Sequence, residues 1–221
     1  ELTDDFGTQS FIAGNTGVQM GGWFNKKIRS ANDFKGLKMR MPGLGGQVLG
    51  KLGASPISLP GGQIYENLVS GAIDATEWVG PWNDLAFGFY KITKFYYGPG
   101  IHEPSSVLEC SINLDAYNSL PDDLKTIVKI ACEAENNRML SEFTAANSDA
   151  QQKLVNEHNV EVLNFPKQVF KTMINISNDV VAETASEGKI NRKIYESWNK
   201  FKNVARLRSP FAEQGFINLS T

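Results

Sequence analysis

The chain is predicted to be an α/β protein, and three observations carry that expectation. Between Gly36 and Trp78 short apolar runs alternate with helix-length segments, the pattern of βαβ units around a parallel sheet. Gly53 and Gly71 stand just past two of the helical segments, where a left-handed residue ends a helix. Further on, Ser119-Leu120-Pro121-Asp122-Asp123-Leu124 is a strong helix start that opens a long stretch free of Gly and Pro.

In chain order, residues 18–24 read as a short apolar strand. Ser30, Asn32 and Asp33 supply capping or turn oxygens before Lys35-Gly36. Residues 37–41 make a strand stopped by Pro42-Gly43, and residues 44–52 a helix. A strand over 55–59, a helix over 61–69 and a strand over 73–78 follow. A short helix over 81–89 leads to the aromatic strand Lys94-Phe95-Tyr96-Tyr97 and the Gly98-Pro99-Gly100 turn. Residues 105–114 alternate as a strand. From Pro121 to about His158 the pattern is helical, with Leu124, Ile127, Val128, Ala131 and Ala134 tracking one face. A helix shared by two lobes would account for that length. Residues 160–165 form a strand and 166–187 a helix. Gly188 breaks it before an amphipathic helix over 189–208, with Ile194, Trp198, Phe201 and Val204 on one side. Residues 210–221 read as a peripheral arm.

The 221 residues suffice for one large or two modest domains. With 22 Lys+Arg against 24 Asp+Glu and no long like-charge block, nucleic acid and anionic membrane are poor partners. No apolar run approaches the roughly 18–20 residues that span a bilayer. The chain opens mid-pattern without a signal peptide, as a fragment or processed chain would. Cys110 and Cys132 fit either two buried thiols or one disulfide. Two His and no Cys/His cluster argue against structural zinc. Neither G-x-S-x-G nor a Walker loop occurs, because no Gly-Lys-Ser/Thr follows the glycines at 43, 45 and 46.

Arg40 is the sharpest candidate for chemistry. Its guanidinium offers paired, planar donors that match a carboxylate, and ligands of open α/β sheets bind beyond the carboxyl ends of strands. The alternation of Leu37, Met39 and Met41 with Lys38 and Arg40 equally fits a solvent-facing Arg. Glu77 and Trp78 end a strand in the same way, where a carboxylate can be a salt-bridge partner, a hydrogen-bond acceptor or a hard-metal ligand, and Glu103 follows the aromatic turn where local propensity requires no acid. Gln19 lies on the first strand of this region. Two carboxylates, an amide oxygen and backbone carbonyls would form an oxygen cage for Na⁺ or Ca²⁺. His102, beside Glu103, could donate to a ligand or be a solvated turn residue.

At these residues the sequence resembles the solute-binding (DctP-type) subunits of tripartite ATP-independent periplasmic (TRAP) transporters. The matching segments are Leu37-Lys38-Met39-Arg40-Met41-Pro42, Gly53-Ala54-Ser55-Pro56, Gln63-Ile64-Tyr65-Glu66-Asn67-Leu68 with Gly71-Ala72-Ile73-Asp74-Ala75, and Leu120-Pro121-Asp122-Asp123-Leu124. The similarity runs from about Gln19 to at least Phe165. It implies that Arg40 binds the substrate carboxylate. Glu77-Trp78, the Tyr-Tyr-Gly-Pro-Gly turn and Glu103-Pro104 resemble the branch that binds 2-oxo or 2-hydroxy monocarboxylates, such as pyruvate or lactate, with a metal cation. There Gln19, Glu77, Trp78 and Glu103 would hold Na⁺ or Ca²⁺, and Gln19, Trp78 and Glu103 would also face the substrate.

The resemblance implies a two-lobed periplasmic binding protein fold lacking its N-terminal part, around a hundred residues in the family. Residues 1–18 would be a remnant of lobe I and 19–103 lobe II. Residues 104–142 would supply a lobe I segment and the bridging helix, 143–209 lobe II and C-terminal helices, and 210–221 an arm. Its implied partners are a small carboxylate and the TRAP membrane permease, with a homodimer through the C-terminal arm left open. It implies capture rather than turnover, in the periplasm. A metal-dependent enzyme acting on a keto or hydroxy acid is the alternative.

Overall fold

The computed structural model describes residues 3–220. Its eight strands are β1 (Thr8–Asn15), β2 (Gly22–Phe24), β3 (Lys38–Arg40), β4 (Ser55–Ile57), β5 (Ala75–Thr76), β6 (Phe95–Gly98), β7 (Val107–Asn113) and β8 (Glu161–Asn164). Six of them form one sheet in the order β4-β3-β5-β2-β6-β8, and β1 pairs with β7 in a separate antiparallel ribbon. The α/β expectation holds, but the six-stranded sheet is mixed rather than parallel. β3 runs parallel to β4 and β5, and β6 parallel to β8, whereas β2 lies antiparallel to both β5 and β6. A parallel neighbour needs a crossover; β2 is instead entered from a loop and left through a 3₁₀ turn, Ala31–Phe34.

The helices are α1 (Gly43–Lys51), α2 (Gly61–Val69), α3 (Pro81–Phe87), α4 (Leu114–Asn118), α5 (Asp122–Asn156), α6 (Lys167–Ser186), α7 (Lys189–Arg208) and α8 (Glu213–Ser220). Gly53 and Gly71 adopt φ of +89° and +71°, as the helix-stop reading requires. α5 runs 35 residues, with Asp122 and Asp123 in its positive first turn. Two strands are shorter than their apolar runs suggest. The 18–24 run yields only Gly22–Phe24, and the 73–78 run only Ala75–Thr76, so Gln19, Glu77 and Trp78 lie on the loops that leave the sheet.

β1 has no counterpart in the sequence reading. Its segment, TQSFIAGN, alternates weakly, and its residues are mostly half-buried, so hydrophobic period gives little signal. The residues from 210 on, read as an arm, form a 3₁₀ turn (Ser209–Phe211) and α8.

The chain divides into two compact units, one ending at Ser177 and one starting at Asn178. In the first, Phe24, Phe34, Met39, Leu49, Tyr97, Phe165 and Met173 form one buried cluster and Trp23, Ile64, Ile73, Phe89, Tyr96 and Leu154 another. Trp23 stacks on Tyr96 at 4.0 Å between ring centroids. The second unit comprises the end of α6 with α7, the 3₁₀ turn and α8. No described helix is long and apolar enough to cross a membrane.

Candidate functional site

Arg40 ends β3, and its side chain turns inward, 8% exposed. The solvent-facing alternative is thereby removed. Nε donates to the Leu59 carbonyl at 3.2 Å and Nη1 to the Glu77 carbonyl at 3.2 Å. Nη1 also donates to Glu77 Oε1 in a buried ion pair, and the guanidinium carbon stands 5.3 Å from the Trp78 ring centroid. β3 and β5 are parallel neighbours, and the ladder continues one residue past β5, where the Glu77 N–H donates to the Arg40 carbonyl. That register sets Arg40 and Glu77 side by side at the carboxyl ends of two strands, where α/β sheets present ligand groups.

The remaining candidates arrive on loops joined by backbone bonds. Gln19 N–H donates to the Glu103 carbonyl at 3.2 Å, and Gly100 N–H to the Gln19 carbonyl at 2.8 Å. Met20 N–H donates to the Val79 carbonyl at 3.0 Å, which ties the Gln19 loop to the segment after Trp78. Gln19, Arg40, Glu77, Trp78 and Glu103 are thus drawn to one edge of the sheet. Gln19 is 3% exposed. Its Nε2 donates to Thr16 Oγ1, while its Oε1 is buried with no hydrogen-bond partner. An acceptor left so costs about 1–3 kcal/mol, which suits a position awaiting a cation or donor. The donor set is oxygen-only, so a hard cation fits it. Among the described residues no group of three or more His, Cys, Asp or Glu could hold a metal. An ion here would therefore rest on the Gln19 amide and backbone carbonyls as well as on acids.

His102 is not the solvated turn residue its sequence position suggests. Its side chain is 4% exposed, with Nε2 3.3 Å from Glu77 Oε2, and neither ring nitrogen makes an aligned hydrogen bond. Two glycines make the room. A Cβ on Gly45 would stand 2.9 Å from His102 Cβ, and one on Gly100 2.9 Å from His102 Cε1. Gly61 does the same for Trp78: a Cβ there would lie 2.5 Å from Cη2 of the indole. These glycines are clearances for site side chains.

Asp84, on α3, is the site residue that sequence reasoning missed. It is 1% exposed and accepts four hydrogen bonds, from Trp23 Nε1 at 2.8 Å, Tyr96 Oη at 2.7 Å, and the Val79 and Gly80 N–H groups at 3.2 Å each. Burial pushes its carboxyl up to about 6 in spite of those donors, and burial together with the Asp84 charge pushes the Tyr96 phenol well up. The Val79 and Gly80 bonds fix the two residues that follow Trp78. α5 supports the same turn from outside: Asn147 Oδ1 accepts from Trp82 N–H at 3.0 Å, and Phe143 meets Trp82 edge-on. The Asp-Leu after Gly-Pro-Trp-Asn carried no periodic signal beyond a short helix.

Residues 3–188 match the family model described as bacterial extracellular solute-binding protein, family 7 (DctP). The monocarboxylate 2-oxoacid-binding periplasmic protein of Nostoc sp. (strain PCC 7120) is 43% identical over 198 residues, 90% of this chain and 54% of the relative. A TRAP periplasmic solute binding protein from Pseudoalteromonas atlantica T6c, solved with bound sodium and pyruvate, superposes with a TM-score of 0.92 at 41% identity, covering 98% of this chain and 66% of that one. A TRAP transporter solute binding protein from Bordetella bronchiseptica RB50, solved as a mixed occupancy dimer with copurified calcium and picolinate in its bound site, superposes at 0.94 with 36% identity, covering 99% and 65%. This chain thus spans about half the length of the curated relative and about two thirds of the solved ones.

Proposed function

The chain belongs to the bacterial extracellular solute-binding proteins of family 7, and from that premise we propose that the full-length protein is the periplasmic receptor of a TRAP transporter. It captures a small 2-oxo or 2-hydroxy monocarboxylate, such as pyruvate or lactate, together with Na⁺ or Ca²⁺, and delivers it to the membrane permease. The observation that carries this reading is the buried Arg40 guanidinium, held at a strand end between Glu77 and Trp78 and linked through the Gln19 and Glu103 loops to an unpartnered amide oxygen.

Arg40 binds the ligand carboxylate. Nε and Nη1 are committed to Leu59 and Glu77, which fixes the plane of the guanidinium before a ligand arrives. The Trp78 indole shields the charge on one face. Gln19, Glu77, Glu103 and the Trp78 carbonyl would hold the cation, whose positive charge offsets the acids and gives the ligand a second point of attachment. Pyruvate and picolinate, the ligands of the two solved relatives, share one feature: a donor atom one carbon away from the carboxylate. A site that pairs an Arg with a cation selects for that spacing. His102 packs against Glu77 and holds its second oxygen near the ring.

Residues 19–103 contribute lobe II, residues 104–142 a lobe I segment and the first part of the bridging helix α5, which runs on to Asn156, and 143–209 the rest of lobe II with the C-terminal helices, residues 1–18 being the remainder of lobe I. Ligand contacts on both lobes give the closed form the differential affinity that drives closure. Family and relatives alike are binding proteins, so the reaction is capture without turnover.

Calorimetric titration of the full-length protein with pyruvate, with and without a chelator, tests this reading. Saturable binding that the chelator weakens and Ca²⁺ or Na⁺ restores is the expected result. Consumption of pyruvate would instead support the enzyme alternative. The C-terminal arm, residues 210–221, is proposed as the surface of a homodimer, since Phe211, Phe216 and Leu219 are each at least 75% exposed and the Bordetella relative was solved as a dimer. Sedimentation of the full-length protein and its Phe216→Glu variant checks it: a dimer that the substitution dissociates is expected.

A further inference from the structure

The β1–β7 ribbon and α5 bring the only two cysteines of the sequence to one rung. On β7 half-buried and exposed positions alternate, so Cys110 and Ile112 share a face while Glu109, Ser111 and Asn113 point to water. Cys110 pairs across the ribbon with Phe11, and Leu108 pairs with Gly14. α5 crosses close at that second rung: a Cβ on Gly14 would stand 2.7 Å from Met139 Sδ and 3.0 Å from Leu108 Cβ. One on Gly17, in the loop after β1, would meet Leu140 Cδ1 at 3.4 Å, so numbers rise together along α5 and the chain from β1 into that loop. Cys132 precedes Met139 by seven residues, which is two turns on the same helix face and about 10 Å of rise. The step from the Gly14–Leu108 rung back to the Phe11–Cys110 rung is about 7–10 Å of strand. Cys132 therefore comes to lie over Cys110, and it is buried there, 8% exposed.

We propose that Cys110 and Cys132 are a redox site, two free thiols poised to close a disulfide that staples β7 to α5. The thiols already interact: burial, and next the Cys110 side chain hydrogen-bonded to it, push the Cys132 thiol up. Cys110 is the half-buried partner and so the one an oxidant reaches. Its thiolate attacks one sulfur of a disulfide oxidant, an oxidised dithiol protein in the cell or glutathione disulfide in the tube, and one thiol leaves. Cys132 then attacks the Cys110 sulfur, forms the intramolecular bond and expels the second thiol. Two thiols are oxidised and one disulfide is reduced to two thiols. The periplasmic reading under Proposed function supplies only the oxidising setting; the thiol chemistry stands apart from ligand binding.

The test is to incubate the reduced full chain with glutathione disulfide, alkylate the remaining thiols and measure intact and peptide masses. The expected result is a monomer lighter by two hydrogens, no alkylated cysteine and a peptide joining Cys110 to Cys132. The closed loop raises the thermal midpoint by about 5–10 °C over the reduced form. Cys132→Ser, or Cys132→Ala where the serine variant folds poorly, should stop at a glutathione adduct on Cys110. A wild-type chain that stays reduced, keeps glutathione on Cys110 or links to a second chain would overturn the proposal. Pyruvate titration of the same reduced sample separates a failure here from a failure of the receptor reading.

Discussion

The carboxyl edge of the six-stranded sheet and the β1–β7 ribbon treat water in opposite ways. In the sheet Trp23, Phe24, Met39 and Tyr96 are fully buried, as is Phe34 packed on Phe24, and the charged groups Arg40, Glu77 and Asp84 are buried with them. In the ribbon and the loops at its ends Ile12, Val18 and Val107 are each more than half exposed, as are Ile127 and Ile130 on α5. The sheet carries the core, so stability concentrates there. The ribbon contributes position: the loop leaving β1 delivers Gln19, and the loop entering β7 delivers Glu103.

The contrast breaks first at the core. Trp23→Ala removes a fully buried indole stacked on Tyr96 and bonded to Asp84, and it is expected to cost about 3–5 kcal/mol in chemical denaturation. A loss near zero would mean that the sheet is not the core of the fold.

Asp84 gives the next largest effect, through pH. Its folded-state value of about 6 lies above its ordinary 3.8, so between those limits the native state holds the proton more tightly than the unfolded chain. The stability it contributes is full below 3.8 and is lost as pH rises through 6, about 3 kcal/mol in all. The unfolding free energy of the wild type relative to Asp84→Asn should therefore fall between pH 4 and 6.5. A pH-independent difference would show that Asp84 is not titrating in a buried setting.

Gly61→Ala probes the clearance behind Trp78. The added methyl would stand 2.5 Å from the indole, so about 1–3 kcal/mol of overpacking is expected, together with weaker pyruvate binding as the ring beside Arg40 is displaced. Unchanged affinity would detach Trp78 from the site. At the other extreme, Ile12→Thr on the ribbon should change stability by no more than about 0.5 kcal/mol. A large loss there would sharpen the comparison by revealing a partner surface under Ile12.

Much of the sheet side was legible because local rules agree there. Gly53 and Gly71 end helices, and Pro42 and Pro60 precede them. Strand direction was not legible. β2 is as apolar as a parallel strand, and only its connections, which hydrophobic period does not encode, set it antiparallel. Arg40, Glu77 and Trp78 announced themselves as polar or aromatic residues at the ends of apolar runs. The burial of His102 did not, because it depends on Gly45 and Gly100, distant in sequence or silent in pattern. Asp84 stayed hidden for the same reason: three of its donors, on β2, β6 and the loop after Trp78, meet only in the folded chain.

The receptor reading depends on the Arg40 guanidinium as the carboxylate clamp, and Arg40→Lys isolates it by keeping the charge and removing the planar fork. Titration of full-length wild type and variant with pyruvate at saturating Ca²⁺ is the direct measurement. The clamp predicts an affinity lower by roughly 10–100-fold, the loss of a charge-assisted pair of about 1.5–3 kcal/mol, with a cooperative unfolding transition retained. Equal affinity in the two proteins would contradict it.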